Sequence, residues 1–115
     1  MSLDFSINSE TTDVFVVFKL KGYFGAEGGA QLISLVEEQL CKSKNTIVID
    51  FSNCTVLCSP GVGCIIDISV KVVQESSGKL YITGVDQLKE KVLTLTGVTN
   101  LAKIVKKLDE IIINT

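Results

Sequence analysis

Residues Thr46 to Phe51 read T-I-V-I-D-F, a short β-branched run lying between two longer segments of helical period. A strand that is apolar on successive residues must be covered on both faces, which is the setting of a central strand in a parallel sheet. Upstream, Leu32, Leu35, Val36 and Leu40 recur at helical spacing with Glu37, Glu38 and Gln39 between them, so an amphipathic helix is expected over about Glu27 to Cys41. Downstream, Val62, Ile65, Ile66, Ser69, Val72 and Val73 keep a helical period from near Ser59 until Ser76, Ser77 and Gly78 end it. Helix, buried strand, helix is the unit from which parallel sheets are wound.

The flanking segments extend the pattern. Leu3, Phe5 and Ile7 alternate with Asp4, Ser6 and Asn8 as a half-buried strand, and Ser9 to Thr12 read as a turn. A second strand, Val14 to Leu20, is broken by Gly22 and Gly25. After the second helix come a strand at Leu80 to Thr83 and a helix at Gln87 to Leu95, with Leu88, Val92 and Leu95 inward and Gly97 where a left-handed cap wants glycine. Leu101 to Val105 reads as a last strand and Leu108 to Ile113 as a short helix. The expected fold is α/β: an N-terminal β-hairpin, then βαβαβαβ with a mostly parallel sheet and right-handed crossovers, then a short C-terminal helix. Ile47, Val48 and Ile49 should lie at its centre, with Ile65, Val72 and Val73 packed on them. A length of 115 residues suits one domain, 1–115.

Composition then narrows the chemistry. All 11 basic residues are lysines and the formal net charge is −2. Reading of bases or phosphates leans on the arginine fork and a basic face, so nucleic acid is not an expected partner. With no histidine there is neither a Ser-His-Asp triad nor a Cys-His pair, and the chain reads as a binding module, not an enzyme. Cys41, Cys54, Cys58 and Cys64 form no C-x-x-C pair, so neither a metal nor a cofactor is expected; reduced thiols are, with Cys64 a packing residue. The apolar stretch Val62 to Val73 is interrupted by Asp67 and Lys71, too short and too charged to span a bilayer. Met1-Ser2-Leu3-Asp4 lacks the basic and apolar segments of a secretory signal, and the chain is expected in the cytoplasm without a membrane partner.

Three stretches carry a family resemblance: Ile47-Val48-Ile49-Asp50-Phe51, then Cys58-Ser59-Pro60-Gly61-Val62-Gly63, then Gly78-Lys79-Leu80. With Val92-Leu93-Thr94-Leu95-Thr96-Gly97-Val98 before the last strand, their order and spacing resemble the STAS domain of bacterial anti-sigma factor antagonists. The resemblance implies a module that binds an anti-sigma factor, itself a serine kinase, and so frees a sigma factor for transcription. It implies that phosphorylation of one serine ends the binding and that a phosphatase restores it. Ser59 matches that serine. The partner surface would comprise Tyr23, Phe24 and Gly25 of one loop with Cys58, Ser59, Pro60, Gly61 and Val62 of the other. Cys58 and Gly25 stand where the family usually carries aspartates.

Apart from the family, Ser59 reads as an N-cap of the second helix with Pro60 at its first position. A phosphate there would add about two negative charges, enough to repel an acidic partner. Two further readings belong to other classes. Gly25, Gly28, Gly29, Gly61 and Gly63 would let a small ligand approach the backbone closely, and Cys58, beside a helix N-terminus, could sense redox state as a thiolate.

Overall fold

The structure is a computed structural model; it describes residues 4–114, and the side chains of residues 4–111. Branched and aromatic residues at alternating positions build strands β1 (Phe5–Thr11), β2 (Val16–Phe24), β3 (Thr46–Leu57), β4 (Lys79–Thr83) and β5 (Ala102–Ile104). They lie side by side in chain order, antiparallel between β1 and β2 and parallel from β2 onward. The connections are α1 (Ala26–Cys41), α2 (Ser59–Ser69) and α3 (Gln87–Leu95), and α4 (Asp109–Asn114) closes the chain. A sheet whose crossovers all step in one direction with one hand puts its helices on one face. The packing follows: Leu32 and Val36 of α1, Ile65 and Ile68 of α2 and Leu93 of α3 join Phe18, Leu20, Ile47, Ile49 and Phe51 in one apolar cluster. The alternate residues Phe15, Val17, Val48 and Tyr81 face the other way, into a smaller cluster with Val105 and Ile111. Ile47, Val48 and Ile49 are fully buried at the sheet's centre, as their run of β-branched residues required.

Several boundaries differ from the expected ones. Leu3 lies outside the described residues. Ser9 to Thr11 continue β1 instead of turning, because an edge strand keeps its ladder while its side chains face water: Ser9 pairs with Phe18 and Thr11 with Val16. The turn comes at Thr12, whose hydroxyl oxygen accepts the N–H groups of Val14 (3.1 Å) and Phe15 (3.0 Å) and so leaves Val14 outside the strand. Gly22 does not stop β2. It adopts φ +87° at an irregularity of the β2–β3 ladder, where a side chain would strike the carbonyl of Asp4, and the strand runs on to Phe24. That extension supplies a partner for residues beyond Phe51, so β3 reaches Leu57, with Tyr23 opposite Val56 and Phe24 opposite Leu57.

The helices hold one surprise. In α2, Val62, Ile65 and Ser69 of the expected stripe are buried while Ile66 is half-buried and Ile68 takes a buried place beside them, and a π-helical turn over Val70–Glu75 carries buried Val72 and half-buried Val73 onward. In α3 the expected inward stripe is turned outward: Leu88 is 71% and Leu95 75% exposed, Val92 is half-buried, and Leu93 alone is fully buried. The helix is short, and one leucine reaching the sheet outweighs the two leucines and the valine at its rim. Gly97 does take the left-handed conformation, at φ +90°.

Candidate functional site

The extended ends of β2 and β3 deliver two loops to one corner of the sheet. Cys58, in extended conformation, donates its backbone N–H to the carbonyl of Phe24 (3.1 Å), and its thiol contacts the same oxygen at 3.4 Å. Cys58 is therefore the N-cap of α2, and Ser59 is already the first helical residue with Pro60 second, one place beyond the expected register. The thiol is occupied with Phe24 and gives α2 no side-chain cap. Ser59 is exposed, and its hydroxyl bonds no other described residue. The cap expected of it is absent.

Beneath the corner lies Phe24, fully buried, its ring 5.6 Å from Phe5 and 6.2 Å edge-on from Phe51. It supports the site from below and cannot reach a partner. Gly61 lets α2 close onto it: a Cβ there would stand 2.5 Å from the Phe24 oxygen and 2.7 Å from its ring. Gly25 is filled from above, since a Cβ would meet Tyr23 Cε1 at 2.8 Å and Cys58 Sγ at 3.0 Å. The Tyr23 ring thus occupies the space that an aspartate at position 25 would need. Its hydroxyl is hydrogen-bonded to Cys58, which holds the phenol above its ordinary pKa, with the charge of Cys58 adding to the effect.

Of the eight residues singled out from the sequence, Phe24, Gly25, Gly61 and Val62 are buried, Tyr23 and Cys58 are half-buried, and Ser59 and Pro60 are exposed. All eight converge on the corner, but the last four are what a partner can touch. The space beside three of the glycines is taken by neighbours, Phe5 at Gly28, Cys64 at Gly29 and Phe24 at Gly61, while Gly25 and Gly28 line a pocket of about 290 Å³ with Asp4, Phe5, Tyr23, Ala26, Glu27 and Gln31. Gly63 opens to solvent. Cys64 is half-buried against Gly29, and burial pushes its thiol pKa up, with Asp67 adding to the effect.

Sequence reasoning missed the apolar surface beside the corner. Val56, 45% exposed, and Leu57 at the end of β3 meet Leu88 and Val92 of α3 around a groove of about 250 Å³ that Lys89 and Thr55 complete. Its signal was present as the Leu88, Val92, Leu95 stripe, assigned to the wrong side. Charge is sparse here. No residue from Gly22 to Ala26, nor from Phe51 to Ile66, carries a formal charge. On the bordering elements are Glu27 in the first turn of α1 and Lys89, paired with Asp86 at 3.0 Å.

Among the described residues no helix is long and apolar enough to cross a membrane. The family model of the STAS domain matches residues 6–111. Comparison with curated proteins finds no match. Among solved structures, the protein TM1081 of Thermotoga maritima is 24% identical over 90% of this chain and 83% of its own, with a TM-score of 0.79. An anti-sigma factor antagonist from Mycobacterium paratuberculosis is 19% identical over 96% of this chain and 93% of its own, with a TM-score of 0.79. The phosphorylated form of the Bacillus cell fate determinant SpoIIAA is 17% identical over 96% of this chain and 100% of its own, with a TM-score of 0.74. Such identities establish a common fold.

Proposed function

The chain belongs to the STAS domain family, and from that premise we propose that it is an anti-sigma factor antagonist-like module that binds an anti-sigma factor kinase through the corner around Ser59. Binding withdraws the anti-sigma factor from its sigma factor, phosphorylation of Ser59 ends the binding, and a phosphatase resets it, all in the cytoplasm. The chain does no covalent chemistry itself; the kinase brings ATP and the catalytic groups.

One observation carries the reading. The Ser59 hydroxyl is exposed at the start of an 11-residue helix and has no structural task there. A serine that capped the helix would have to give up its bond to be phosphorylated; this one gives up nothing. A phosphate on it would lie beside the unpaired N–H groups of the first helical turn, with the helix dipole favouring negative charge. Pro60 adds no competing donor and fixes the backbone next to the serine.

The test is pairwise. Each anti-sigma factor kinase of the source genome is purified, mixed with this chain and analysed by size-exclusion chromatography, then supplied with ATP and Mg²⁺. The expected outcome is a complex with one of them, phosphate on Ser59 by mass spectrometry, and dissociation once it is there. No complex with any of them, or phosphate on other residues only, overturns the proposal.

A further inference from the structure

Resting on that reading, we infer that the surface around Ser59 takes an uncharged, apolar face of the partner, and that a phosphate ends the contact because it cannot shed its water there, not because it repels a like charge.

The two charge-free stretches, Gly22 to Ala26 and Phe51 to Ile66, lie far apart in sequence and are joined in space by the bond from the Cys58 N–H to the Phe24 oxygen. What they expose together is neutral, Tyr23, Ala26, Val56, Ser59, Pro60 and Gly63, and the carboxylates of Asp4 and Glu27 edge it only on the Tyr23 side, where they share a pocket with Tyr23, Gly25 and Ala26. Gly63, whose added Cβ would meet nothing, leaves the surface of α2 flat beside Ser59. Where the family usually carries aspartates, this chain has a thiol turned onto a carbonyl and a phenol laid across a glycine. Both groups lie against other atoms of the chain, the Cys58 thiol at the Phe24 carbonyl and the Tyr23 ring over Gly25. The nearest cation of the bordering groove, Lys89, is neutralised by Asp86 at 3.0 Å.

A partner charge opposite Ser59, Pro60, Gly63 and Val56, away from the Asp4 and Glu27 edge, would lose water and find no counter-charge among them, so complementarity there favours a neutral face. Switching follows from the same physics. Two charged surfaces can be driven apart by an added like charge at a distance, an effect that salt screens within a Debye length of roughly 10 Å at 0.1 M. A charge that must be desolvated at a dry contact opposes binding whatever its sign, and salt relieves it little.

Sign is therefore the discriminating variable. With the anti-sigma factor kinase that forms the complex in the pairwise assay, Kd is measured by calorimetry for the unmodified chain and for Ser59→Asp, Ser59→Lys and Ser59→Gln. Ser59→Gln is the neutral control for size. Ser59 is exposed and bonds no other described residue, so all three variants fold, with melting temperatures shifted only by the small helix-dipole effect, up for Asp and down for Lys. Asp and Lys should both weaken binding by about tenfold or more, and Gln by no more than about threefold. Raising NaCl from about 50 to 500 mM should move each Kd by less than about twofold. If Lys tightens binding, or salt restores Asp, the partner face is acidic and the inference falls while the partnership stands. If the unmodified chain binds none of the kinases, the partnership falls and takes the inference with it. If the chain dimerises alone and Ser59→Lys makes it monomeric, the face belongs to a second copy and the inference is likewise overturned.

Discussion

Helices α2 and α3 present the same pattern in sequence and opposite outcomes in space. Both carry apolar residues at helical spacing, yet α2 buries Val62, Ile65 and Ile68 completely or nearly so, whereas α3 buries Leu93 and leaves Leu88 and Leu95 in solvent. The difference is one of position. α2 follows the central strand β3 and packs against α1 as well as the sheet, so its whole inward stripe has neighbours. α3 connects the last two strands, and β5 has only three residues to cover, so one leucine meets the need. Periodicity announces that a stripe exists; the number of neighbours decides whether it becomes core or contact surface.

The comparison breaks most directly in the core. Truncating Ile65 to alanine should cost about 2–5 kcal/mol, because it leaves a cavity in a region with no room to collapse. Leu93→Ala should fall in the same range, since both side chains are 0% exposed. Denaturant melts read by circular dichroism check both. A loss below about 0.5 kcal/mol for Leu93 would mean that α3 contributes no core at all, and the contrast between the helices would be complete instead of partial.

How far this was legible depends on what each feature needed. The buried run at Ile47 to Ile49 and the α2 stripe declare themselves through local chemistry, and the order of elements follows. The second half of β3 does not. Ser52, Asn53 and Thr55 break any apolar period, and the strand passes through them because β2 goes on past Lys19 to pair Lys21 with Asn53, Gly22 with Cys54, Tyr23 with Val56 and Phe24 with Leu57, a ladder set by residues about thirty positions away. The corner residues were found by their family spacing, but the role of each was not. That Cys58 and not Ser59 is the N-cap depends on one extended backbone conformation, and that Tyr23 fills the space at Gly25 depends on a ring orientation.

A smaller effect sharpens the contrast at the helix starts. α3 is capped by Asp86, whose carboxylate accepts the Lys89 N–H at 2.8 Å and pairs with its ammonium at 3.0 Å, while α2 has no side-chain cap. The backbone hydrogen bond from Lys89, then that from its side chain, hold the Asp86 pKa below its ordinary value. A carboxyl whose pKa is lower folded than unfolded stabilises above the unfolded pKa and loses that contribution as pH falls through the folded one. Asp86→Asn should therefore lower the melting temperature at pH 7, and the gap to the native chain should narrow as pH falls below the ordinary carboxyl value and close only once it has passed the lower folded one. A gap unchanged over that range would assign Asp86 a purely geometric role.

The smallest stability effect is expected where the functional effect is largest on α3. Leu88 and Leu95 are 71% and 75% exposed, so little apolar area leaves water when the chain folds, and serine at both positions should shift stability by no more than about 0.5 kcal/mol. Large apolar residues left in solvent at helical spacing, next to a groove lined by Val56 and Leu57, have a use only when something covers them. Leu57 lies two residues before Ser59 in the chain, which makes the groove a continuation of the corner. Interfaces draw most of their affinity from a few apolar anchors near their centre, and loss of such an anchor costs about 2 kcal/mol or more of binding. The double serine variant should thus melt like the native chain while binding the anti-sigma factor kinase at least about tenfold more weakly. Ile65→Ala makes the opposite pair, with a large loss of stability and unchanged affinity for the fraction that is folded. Native affinity in the double serine variant would confine the contact to the Ser59 corner, and would leave α3 as a short helix whose stripe serves neither core nor partner.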